Sequence, residues 1–138
     1  MKKTTYLLVL LLPVFTACTQ QVQSESIRFF YSQKCASCQQ MKGFLEELME
    51  LNADLSMTMT DIDEDPEAWE AACQQAGIPV WGVPRMFIGD QIFAGFNLEE
   101  GELIYIPAYS GYMGYANCIL AAIEEECGQL VQSGLQEQ

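Results

Sequence analysis

The stretch Cys35-Ala36-Ser37-Cys38 constrains this chain more than any other feature, because of what stands on either side of it. Upstream, Ile27 to Tyr31 (IRFFY) is short and rich in aromatic residues, the composition of a strand. Downstream, Met41, Phe44, Leu45, Leu48 and Leu51 recur at helical spacing, so Ala36 to Leu51 is expected as an amphipathic helix. The two cysteines therefore sit at a strand-to-helix junction. There the first N–H groups of the helix lack intrahelical partners and the macrodipole favours negative charge. A thiolate at Cys35 is stabilised in that place, and the thiolate is the form that attacks a disulfide. Lys34 adds an adjacent cation. Cys38, one turn further in, can close back on Cys35, and Ala36 and Ser37 are small enough to permit it.

Other readings of the pair are a structural disulfide or half of a metal site. Zinc takes about four ligands, mostly Cys and His. The chain has no His and no second Cys-x-x-Cys, so no metal site is expected. Six cysteines are encoded. Cys73 and Cys127 each follow an apolar residue by four, Trp69 and Ile123, and are expected to pack as small hydrophobes. Cys118 and Cys127, nine apart, should lie on opposite faces of one helix. Cys118, near the start of that helix, is expected to be exposed or packed.

The remaining elements read in order. Leu55 to Ile62 alternates as a strand does. Asp65-Pro66 opens a second helix, with Trp69, Ala72, Cys73 and Ala76 on one side and Gly77 at its end. Gly82-Val83-Pro84 precedes a hairpin, Met86–Ile88 and Gln91–Ala94, about Gly89-Asp90. Residues 97–114, rich in Gly and Tyr, are expected as an insertion, either a lid over the cysteine pair or a surface loop. Trp81 is expected to wall the pair or simply to pack. A last helix from Tyr115 to Cys127 and a polar tail, 128–138, complete the chain. The acidic run Asp61, Asp63, Glu64, Asp65 lacks the Gly and terminal Glu of a calcium loop and reads as a strand end plus a helix cap. The expected fold class is α/β: a four-stranded mixed sheet with three main helices, β-α-β-α-β-β-α, over residues 27–127.

The first residues read as a leader. Lys2-Lys3 precede the apolar run Tyr6 to Leu12, too short to span a bilayer comfortably, so residues 1–17 are expected as a signal peptide. Phe15-Thr16-Ala17-Cys18 resembles the lipobox of bacterial lipoproteins, which implies a lipid on Cys18 and a polar tether over 18–26. Export to the cell envelope, where disulfides persist, follows from that reading. Nineteen acids oppose six bases, a net charge of −13; without Lys2 and Lys3, four bases face nineteen acids, or −15. Such a surface repels phosphate backbones and argues against nucleic acid.

The order of elements, with FFYSQKCASC ending the first strand and GVPRMFIGDQIFAG opening the third, resembles the thioredoxin superfamily, nearest to glutaredoxin-like and small exported thioredoxin-like proteins. That resemblance implies a thioredoxin-like fold and thiol–disulfide exchange. Cys35 would be the nucleophile and Cys38 the resolving thiol, with no cofactor beyond their disulfide. Pro84 would be cis and, with Val83, form the substrate rest. Partners would be exported protein thiols or disulfides, or a membrane thiol-electron carrier. Phe29 stands where thioredoxins keep a buried Asp, and Lys34 where they place Trp. Ala94-Gly95-Phe96-Asn97 replaces the glutaredoxin Gly-Gly and acidic stretch, so glutathione is not implied. The alternatives are a non-catalytic docking module of the same fold and a metal carrier.

Overall fold

In a computed structural model, residues 26–132 and residue 135 are described. The signal peptide, Cys18 and nearly all of the tether lie outside them. Strand β1 (Ile27–Tyr31) turns through Ser32 to Lys34 into helix α1 (Ala36–Leu51). Cys35 is the N-cap of α1, with extended backbone, and its side chain accepts the Cys38 N–H. Strand β2 (Thr58–Asp61) is shorter than the alternation suggested. Helix α2 (Pro66–Ala76) begins as its sequence dictates: the Asp65 carboxylate accepts the Ala68 N–H at 3.0 Å, and Pro66 takes the first turn. Gly77 ends it in the left-handed region, which glycine enters without a Cβ clash.

The hairpin forms as β3 (Arg85–Ile88) and β4 (Gln91–Asn97), with Ile88 paired to Gln91. Residues 97–114 carry regular structure. They supply β5 (Tyr105–Ile106), a short 3-10 helix (Pro107–Tyr109) and most of β6 (Gly111–Tyr115). The sheet therefore has six strands instead of four, in the order β2-β1-β3-β4-β6-β5. β1 pairs parallel with β2 and antiparallel with β3, while β6 runs parallel to β4. The glycines that disguise β6 as a loop are what let it pair. A Cβ on Gly114 would overlap the Gly95 carbonyl, and one on Gly111 would lie 2.8 Å from the Ile92 oxygen. Glycine here marks a close approach of two backbones.

Helix α3 (Ala116–Cys127) follows β6 directly. Helices α1 and α3 cover one face of the sheet, and their Leu45, Leu48, Ile119 and Ile123 pack with Phe29, Met86 and Phe93. Helix α2 covers the other face only in part, where Trp69, Ala72 and Cys73 close over Phe30 and Phe87. Three apolar stripes stop earlier than their spacing implied. Leu51, Ala76 and Cys127 are exposed, because each lies at a helix end beyond the reach of the sheet. The described protein is thus a mixed α/β molecule with three helices and one six-stranded mixed sheet.

Candidate active site

β1 and α1 meet at the cysteine pair, and the chain between them is tied down on both sides. Ser32 donates its hydroxyl to Asp63 at 2.6 Å and accepts the Lys34 N–H at 3.2 Å. The Ser32 carbonyl accepts the Cys35 N–H at 3.2 Å. Asp61, at the end of β2, accepts the Asp63 N–H at 3.0 Å. The acidic run therefore does more than end a strand and cap α2: Asp63 anchors the turn that presents Cys35.

The Cys35 sulfur accepts the Cys38 N–H at 3.2 Å, shares a hydrogen bond with the Ser37 hydroxyl at 3.4 Å, and lies 3.7 Å from the Val83 carbonyl oxygen. Partial burial works against ionisation, yet the hydrogen bonds from Cys38 and Ser37 outweigh it and bring the Cys35 pKa below its ordinary value. Cys38 is fully buried. Burial first, then the Cys35 sulfur and the Asp61 charge, push its thiol up to about 12. One thiol of the pair is poised to ionise and the other to hold its proton. Both are free thiols.

The Val83–Pro84 peptide is cis, as the resemblance implies, and the Pro84 carbonyl accepts the Gly95 N–H at 3.0 Å. The Lys34 ammonium is exposed and 4.0 Å from Asp63, and it is not among the groups that lower the Cys35 thiol. Beside the pair opens a groove of about 480 Å³ whose walls include Ser37, Val83, Pro84, Trp81 and Tyr109. Trp81 and Tyr109 are each about half exposed (49% and 48%).

Two residues here take positions that the sequence reading did not assign to the site. Asp61 is 7% exposed, and its charge reaches Cys38. Arg85 is buried in the groove floor. Neither carries a local signal: an acid ending a strand and a base opening one look ordinary until the strands pair.

The other cysteines separate. Cys73 is fully buried, as its stripe implied. Cys118 is buried and donates to the Gly101 carbonyl at 3.4 Å; it is not among the residues that line the groove. Among the described residues no three His, Cys, Asp or Glu side chains gather as metal ligands. No family model, curated protein or solved structure matches this chain.

Proposed function

We propose that this protein is a thiol–disulfide oxidoreductase of thioredoxin-like fold, exported and lipid-anchored through Cys18. The observation that carries the reading is the asymmetry of the pair: a nucleophilic Cys35 at a helix N-cap, with Cys38 buried one turn behind it and strongly held as a thiol. The cycle begins when the Cys35 thiolate attacks one sulfur of a substrate disulfide. A mixed disulfide forms, and the substrate's other sulfur leaves as a thiolate that takes up a proton. Cys38 then gives up its proton and attacks the Cys35 sulfur, which releases the second substrate thiol. The substrate gains two electrons and the pair becomes a disulfide; the reverse sequence oxidises a dithiol. The Asp61 charge helps hold Cys38 as a thiol until that step, and Val83 offers its carbonyl to an extended chain lying along the groove.

The reading is tested by equilibrating the purified protein against thiol–disulfide buffers. A reversible two-electron couple that disappears in Cys35→Ser is expected. A potential near about −120 mV would make the protein an oxidant, and one near about −270 mV a reductant fed by a membrane thiol carrier. The second reading, a docking module without exchange, draws on the exposed Trp81 and Tyr109 at the groove mouth. It predicts no couple, and partner binding that survives Cys35→Ser.

A further inference from the structure

The floor of the groove carries an observation that the cysteine chemistry does not use. Arg85 opens β3 and heads the largest fully buried side chains among the described residues, at 2% exposure. Its Nη1 donates to the Tyr109 carbonyl at 2.6 Å. Its Nε has no hydrogen-bond partner among the described residues. Nor does a carboxylate neutralise it: the ion pairs there are Lys34 with Asp63 and Lys42 with Glu46. A guanidinium holds its proton even when buried and has five N–H donors to satisfy. Leaving it without a counter-charge is costly, so a buried lone Arg is a feature that packing alone does not explain.

Its surroundings sharpen the point. The chain has nineteen acids, yet among the described residues none lines this groove, where Arg85 is the one Lys, Arg, Asp or Glu. We propose that the groove is a carboxylate subsite. The disulfide substrate of Cys35 bears a carboxylate near its exchanging sulfur, and that anion lies over Arg85.

The spacing fits. The Cys35 sulfur is 3.7 Å from the Val83 carbonyl, and Arg85 lies two residues further along, at most about 7 Å of chain. A carboxylate a few bonds from the sulfur spans that interval. Either a short mercapto acid or a polypeptide with Asp or Glu beside its cysteine has this chemistry. Trp81 and Tyr109 supply apolar walls for the carbons between, and the guanidinium fork matches a carboxylate with paired N–H donors.

This inference rests on the exchange reading for its substrate, so the test separates the two. The reduced full chain is mixed with 3,3′-dithiodipropionic acid or its bis-amide, and rates are followed at low and high salt. A second pair, disulfide peptides with Glu or Gln beside the cysteine, is run alongside. The net charge of −13 repels anions at long range, so without the subsite the amides would react faster. With it, the acids react about tenfold faster at low salt, and salt narrows the gap. Arg85→Met brings the acid rate down to or below the amide rate of the same variant, while Arg85→Lys keeps part of the preference. A preference confined to the peptides assigns the carboxylate to a polypeptide, and one confined to the small disulfides assigns it to a mercapto acid. Equal rates, or faster amides, in the unmodified protein overturn the proposal without recourse to any variant. If no disulfide reacts, the exchange reading fails and the subsite is read by binding. The unreactive thioether 3,3′-thiodipropionate should then change Trp81 emission in the unmodified protein and not in Arg85→Met; no change in the unmodified protein overturns the subsite.

Discussion

The two faces of the sheet are finished differently. On one, α1 and α3 lie side by side over Phe29, Met86 and Phe93, and the space is filled. On the other, α2 covers β1 and β3, while the groove is lined by residues of β4 and β6 and by Tyr109 of the short 3-10 helix. The closed face holds the molecule together. The half-open face leaves side chains free to meet something else. The cysteine pair spans both: Cys38 belongs to the closed core, whereas Cys35 stands against Val83 at the groove.

That contrast can be broken by measurement. The largest effect is expected from Phe93→Ala on the closed face, a fully buried ring with neighbours on every side. It should cost about 3–5 kcal/mol in chemical unfolding. A loss below about 1 kcal/mol would mean the face is not filled.

The pair itself gives an intermediate effect, read as stability against pH in the reduced protein. Cys35 titrates low in the folded state, so its contribution grows as pH rises through its folded pKa towards the ordinary thiol value. Cys38 works the other way. Between pH 9.0 and about 12 the unfolded thiol ionises while the folded one keeps its proton, so stability falls across that window. Cys38→Ser should flatten the fall. A fall that Cys38→Ser leaves unaltered would assign it to Cys73, Cys118 and Cys127, whose thiols burial also pushes up.

The smallest stability effect is expected from Trp81→Ala, at the groove mouth. Unfolding free energy should stay within about 0.5 kcal/mol, the usual range for exposed positions. Exchange with disulfide peptides should nevertheless slow. If Trp81→Ala destabilises as Phe93→Ala does, the groove wall is core and the contrast between the faces collapses.

The closed face was the more legible of the two in the amino-acid sequence. The spacing of Met41, Phe44, Leu45 and Leu48 announced α1, Asp65-Pro66 announced α2, and Gly89-Asp90 announced the hairpin, each through a local rule. The cysteine pair was legible for the same reason, since an N-cap is a local position. The half-open face was not. β6 reads as a loop because Gly111 and Gly114 are poor strand formers alone, and their value lies in the backbone of β4 that they admit. Arg85 drew no notice because the partner its side chain finds, the Tyr109 carbonyl, is 24 positions away. Asp61 matters through Cys38, across a parallel pairing of β1 with β2 that no short window contains.

The edges of the sheet have a consequence of their own. One side ends in β2, four residues long and running into Asp61, Asp63, Glu64 and Asp65; the other ends in β5, two residues long. An incoming strand would find few rungs to extend on either side, and like charges at the first. For a chain proposed to be crowded onto a membrane by a lipid, where neighbours meet constantly in two dimensions, such blunt margins oppose edge-to-edge aggregation while the groove stays open.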